Sequence, residues 1–95
     1  MKLYLISQST NQEYDTYDSA VVAAETEDDA RNMHPEFPNV ISHKGKWMDH
    51  YKGELTNTTI WTEWVNHEDI DKIEVKYLGE TNVKRGVVLG SFQSG

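Results

Sequence analysis

The chain contains no cysteine, so no disulfide can staple it and no thiolate can serve as nucleophile or metal ligand. That fits a reducing, cytoplasmic setting. It has no repeat, low-complexity tract or Gly/Ser linker, and its 95 residues read as one domain, 1–95. A chain of this length buries about 60–65% of the surface its unfolded form exposes, so the expected core is modest. No apolar run approaches the roughly 20 residues needed to span a bilayer. The opening Met1-Lys2-Leu3-Tyr4-Leu5-Ile6-Ser7-Gln8 is too short an apolar run for a secretory signal and lacks a small-residue cleavage site. The expectation is a soluble intracellular protein with no membrane partner.

Basic residues are scarce as well. Nine Lys and Arg stand against sixteen Asp and Glu, for a net charge of −7. Residues 1–36 hold eight acids against Lys2 and Arg31, and residues 61–80 hold six against Lys72 and Lys76. A surface this negative repels phosphate backbones, which disfavours direct nucleic-acid binding, and it attracts basic partners. Catalytic signatures are missing too: there is no P-loop, no G-x-S-x-G and no G-x-G-x-x-G. So small a domain has little room for a substrate pocket, so the protein is expected to be non-enzymatic, and no cofactor is implied.

The pattern that is present predicts an α+β fold: a mostly antiparallel sheet of four or five strands with one short helix on one face. Residues 2–8 are apolar on both strand faces, as a central strand would be. Residues 19–25, with Val21 and Val22 beside small alanines, read as the second strand. Thr26 is a good N-cap, Asp29 is placed like the acid of a capping box, and Pro35 stops a helix over 27–34. Residues 35–59 hold both prolines and few aliphatics, and are expected to be mostly irregular, with one short turn or strand around Gly45-Lys46-Trp47-Met48. Residues 60–65 have strand composition, and residues 66–71 resemble a capped helical turn. Residues 72–78 alternate Ile73, Val75 and Tyr77 inward against Lys72, Glu74 and Lys76 outward. Residues 86–92 complete the set, paired with 72–78 as a hairpin around Thr81–Arg85.

Two groups of side chains carry candidate chemistry. Tyr14, Asp15, Tyr17 and Asp18, with Glu27 and Asp28 taken as neighbours, would combine aromatic contact area with carboxylates against a basic site. His34, His43, Asp49 and His50 are the only metal-ligand candidates. Their spacing is loose beside the tight His pairs of zinc sites, which favours ordinary structural histidines. Trp47, Trp61 and Trp64 are expected first as core residues, any exposed one being a contact candidate.

The segments Leu3-Tyr4-Leu5-Ile6-Ser7-Gln8, Tyr14-Asp15-Thr16-Tyr17-Asp18-Ser19-Ala20-Val21-Val22-Ala23-Ala24, Ala30-Arg31, His34-Pro35 and Gly86-Val87-Val88-Leu89-Gly90-Ser91-Phe92 together resemble a family of small bacteriophage and prophage proteins of unknown function. The resemblance spans the first 35 residues and about the last 20, and it leaves the middle unmatched. It implies an accessory protein in the bacterial host cytoplasm and no mechanism. The expectation is therefore a protein-binding module acting on a host factor with a basic surface, such as a defence or nucleic-acid-handling protein. Self-association is compatible with it. The alternatives are a small metal- or ligand-binding protein using the His34, His43, Asp49 and His50 group, and a minor virion or assembly component.

Overall fold

In the computed structural model, residues 1–10, 16–51, 54–58 and 64–93 are described, with backbone alone at 50, 51, 54–58, 92 and 93. Along the chain run β1 (Lys2–Ser7), β2 (Thr16–Ala24), α1 (Glu27–Arg31), β3 (Val40–His43), β4 (Lys46–Tyr51), β5 (Glu54–Thr58), a 3₁₀ helix (His67–Lys72), β6 (Glu74–Glu80) and β7 (Gly86–Gln93). The strands form a four-stranded sheet in the order β6-β1-β2-β7 and a three-stranded sheet in the order β3-β4-β5. Every pairing is antiparallel. The fold is α+β and mostly antiparallel sheet. No helix among the described residues is long and apolar enough to cross a membrane.

The strand order follows from burial. β1 and β2 are apolar on both faces and occupy the two central positions. β6, with Glu74, Lys76 and Glu80, tolerates an edge. The expected hairpin between the last two strands is therefore not formed. β6 and β7 lie on opposite edges, and the chain crosses the end of β1 between them, where Thr81 N–H donates to the Met1 carbonyl at 3.0 Å.

One face of the larger sheet carries the core. Tyr4 faces Val22 and Ile6 faces Ala20 across β1 and β2, all of them buried. Ala30 of α1 and Met33 just beyond it pack onto that face, as do Val40 of β3 and Trp47 of β4. Trp64, Val65 and Ile73 close the cluster. The opposite face of the sheet presents Leu3, Leu5 and Val21, each half-buried.

α1 starts where the capping chemistry places it. Thr26 is extended, its Oγ1 accepts from Asp29 N–H at 3.0 Å, and the Asp29 carboxylate accepts from Glu25 N–H at 3.3 Å. The helix ends earlier than expected, at Arg31 rather than His34. Asn32 caps it and Met33 N–H turns back to the Ala30 carbonyl. Asp29 has a second role: it accepts three hydrogen bonds from Arg85 at 2.7, 2.9 and 3.1 Å, and the guanidinium also lies 4.9 Å from the centre of the Phe37 ring. The pair ties the β6–β7 crossing to the start of α1. Its side chains are 39% and 24% exposed, so solvent screening holds its worth to about 1 kcal/mol. Arg85→Gln is expected to lower the unfolding free energy by about that amount, read as a reduced urea midpoint at unchanged slope. An unchanged midpoint would mean the clasp is ornamental.

Residues 35–59 require correction. They are not mostly irregular, because they hold β3, β4 and β5. β3 and β4 are joined by Lys44 at φ 51° and Gly45 at φ 78°, a two-residue turn with both central residues left-handed. That is the turn whose twist matches a hairpin, and glycine supplies its second position without strain. In the stretch predicted as a strand over 60–65, residues 60–63 lie outside the described residues, and Trp64 and Val65 are buried outside any strand. The helical turn predicted over 66–71 is the 3₁₀ helix, shifted by one residue.

Candidate functional site

A surface cleft of about 420 Å³ opens between α1 and the β6 edge and is lined by Lys2, Tyr4, Glu27, Val75 and Tyr77. Register builds it. Tyr77 of β6 pairs with Tyr4 of β1, and Val75 pairs with Ile6, so these side chains share the core face. Tyr4 lies inside that core at 5% exposure, whereas Tyr77 is 53% exposed, because no further strand among the described residues flanks the outer side of β6. Strand alternation predicts Tyr77 as inward; it does lie on the core side, but it overhangs the core and stays exposed. The two rings meet edge to face with centroids 5.8 Å apart. The Tyr77 hydroxyl donates to Glu80 Oε2 at 2.5 Å, and this bond holds the phenol above its ordinary pKa. Glu27, in the first turn of α1, adds a carboxylate at the cleft wall and lies 3.6 Å from Arg31. The cleft thus offers two phenol rings, an apolar floor at Val75 and carboxylates at its rim, with Lys2 as its one cation among the described residues. Aromatic faces and carboxylates of this kind are chemically suited to the stem and charge of a basic side chain.

A second cleft, about 320 Å³, is lined by Asn32, Phe37, Ile41, Ser42 and Arg85. Ser42 Oγ lies 2.8 Å from His67 Nε2, the spacing of a nucleophile and its base. Asn32 Nδ2 donates to the Asp28 carbonyl, and Arg85 Nε and Nη2 donate to Asp29. The Ser42–His67 bond ties β3 to the 3₁₀ helix. Behind it, Trp47 sits between His67, centroids 4.7 Å apart, and His34, 5.2 Å apart, and its indole N–H donates to the Val65 carbonyl at 2.9 Å.

Those of the residues singled out in the sequence that are described fall apart in space. Tyr14 and Asp15 lie outside the described residues. Tyr17 is turned toward the core and packs on Gly90, where an added Cβ would come within 3.0 Å of its ring. Asp18 is exposed and accepts from Ser19 Oγ. Glu27 and Asp28 are exposed but sit beyond the other end of β2, whose rise of about 3.3 Å per residue separates the two pairs by roughly 20 Å. The sequence-derived acidic surface is thus divided, and only Glu27 joins a cleft. Of the metal candidates, His34 is fully buried and its Nδ1 accepts from Glu36 N–H at 3.0 Å. His43 closes the turn end of the β3–β4 hairpin, while Asp49 pairs with Val40 at its other end. The side chain of His50 lies outside the described residues, and no group of three metal-binding side chains occurs among the described ones. Sequence reasoning missed Tyr4 and Tyr77 as a pair. The signal that could have found them is a tyrosine on the core side of a strand otherwise charged enough to be an edge.

No family model matches the sequence, and no curated protein or solved structure matches it.

Proposed function

We propose that the protein is a non-enzymatic binding module that captures a basic side chain of a partner protein in the Tyr4–Tyr77 cleft. The observation that carries this reading is Tyr77: a large aromatic ring left 53% exposed, buttressed edge to face by buried Tyr4 and hydrogen-bonded to a carboxylate. Ordered, amphipathic rings of this kind supply contact area at low entropic cost and act as interface anchors. Glu27 and Glu80 set the charge preference, in keeping with the net charge of −7. The resemblance to phage and prophage proteins makes the partner a host protein with a basic surface and the site of action the bacterial cytoplasm, with occlusion of the partner's site as the mechanism.

Immobilised protein challenged with bacterial lysate tests this. Wild type is expected to retain a host protein that Tyr77→Ala and the double variant Glu27→Gln/Glu80→Gln retain at least about tenfold less, the effect of roughly 1.4 kcal/mol at an anchor. Retention should also weaken as salt rises. Equal retention by wild type and Tyr77→Ala would refute the assignment of this cleft.

A further inference from the structure

The two edges of the four-stranded sheet are guarded differently. β6 carries Glu74, Lys76 and Glu80 along its length. Charges of this sort block strand addition, whereas a register break occurs against each edge strand and does not separate them. β7, Gly86–Gln93, carries no charge and no proline along its length. Val88 and Leu89 on it are 48% and 67% exposed. Between its two register breaks, Leu89, Gly90 and Ser91 run in regular pairing with Val21, Ala20 and Ser19. Leu5, Val21 and Leu89 therefore form one apolar row across three strands on the outer face, and that row stops at an unguarded edge.

We propose that two copies of the chain associate through β7, antiparallel about a two-fold axis at Leu89, to make one continuous eight-stranded sheet. The apolar row then continues from Leu89 of one copy to Leu89 of the next, and each covers the other. An isologous contact of this kind needs a strand that is its own complement, and a neutral strand paired antiparallel with itself is one. Charge argues for a second copy at this edge in particular. Two chains of net charge −7 repel, and β7 is the edge strand of this sheet where that repulsion is not reinforced by local carboxylates. The ends are complementary as well. β7 is preceded by exposed Lys84, and its far end pairs with the start of β2, where Asp18 is exposed. Antiparallel pairing directs the Lys84 end of one copy toward the Asp18 end of the other. The inference does not depend on the Tyr4–Tyr77 cleft, which lies at the opposite edge.

Sedimentation velocity over a range of concentrations tests the association. Wild type is expected to shift from 11.0 kDa toward twice that mass as concentration rises. Leu89→Lys, at an exposed position that leaves the core untouched, is expected to stay at the monomer mass with an unchanged far-ultraviolet circular dichroism spectrum. The register has its own test, because the chain has no cysteine of its own. Leu89→Cys is expected to give a disulfide-linked dimer on mild oxidation, since directly opposed Cβ atoms lie about 4.5–5.5 Å apart. Ser91→Cys should not, because a residue two places from the axis faces its own copy at a distance of roughly 13 Å along the strands. A wild type that stays monomeric up to millimolar concentration, Leu89→Lys dimerising like wild type, or equal cross-linking at positions 89 and 91 would each overturn the proposal.

Discussion

Trp47→Ala is expected to cost about 3–5 kcal/mol of unfolding free energy, the usual penalty for emptying a large aromatic site in a core. A domain of this size has about 5–15 kcal/mol in total, so the variant should be close to its folding threshold at 37 °C. Trp47 joins the two sheets: it belongs to β4 yet packs in the cluster built on β1 and β2, between the rings of His34 and His67. Its indole N–H satisfies the Val65 carbonyl, a buried acceptor that alanine would leave without this donor. Trp47→Phe keeps most of the apolar area and loses the donor, so its cost should be less than half as large. Urea denaturation measures both. Equal, small losses would show that the smaller sheet contributes little to the cooperative unit.

Acid should destabilise the protein through His34, well above the range where carboxylates titrate. Burial pushes the His34 ring down to about 3 from its ordinary 6.5, because a protonated imidazole is costly to desolvate. Below pH 6.5 the unfolded chain gains a proton there that the folded chain refuses. Stability therefore falls as pH drops from 6.5 toward 3, with a limiting slope of about 1.4 kcal/mol per pH unit. The loss reaches about 2 kcal/mol by pH 5. Asp29 acts in the same direction at lower pH. Its hydrogen bonds to Arg85 hold its carboxyl below the ordinary value, so the stability it contributes is present above the unfolded pKa and lost as pH falls through the folded one. His34→Asn keeps an acceptor for the Glu36 N–H and cannot titrate. Its stability is expected to be lower than wild type at pH 7 but nearly flat between pH 6.5 and 5. Parallel pH profiles for the two proteins would remove His34 as the source.

What the sequence made legible was local. Leu3 and Leu5 against Tyr4 and Ile6 marked β1 as a strand covered on both faces, and Thr26 with Asp29 marked the start of α1, because side-chain chemistry within four residues decides both. The smaller sheet was hidden because its strands are short and partly polar: β3 contains Ser42 and His43, and β5 contains Thr56, Asn57 and Thr58. Its hairpin turn has Lys44 where Asn or Asp would have announced it. Strand order was illegible because pairing is a tertiary choice. Nothing near Thr81–Arg85 records that β1 and β2 must lie between β6 and β7. The candidate site was only partly legible for a related reason. Alternation along a strand gives the face on which a side chain lies, not how far the neighbouring layer extends over it. That is why Tyr17 is tucked over Gly90 while Tyr77 overhangs.

The larger sheet closes only when distant parts of the chain meet: Lys2 pairs with Glu80, and Thr16 pairs with Gln93. During synthesis β1 and β2 emerge early and can form only a two-stranded ribbon, which is marginal in water. They stay without outer neighbours until residues 74–93 leave the ribosome. Assembly is thus gated by the last fifth of the chain, with the slow, all-or-none closure of high contact order. Any message cut short upstream of Glu74 would leave β1 and β2 without either outer strand, a substrate for proteases rather than a partially working protein.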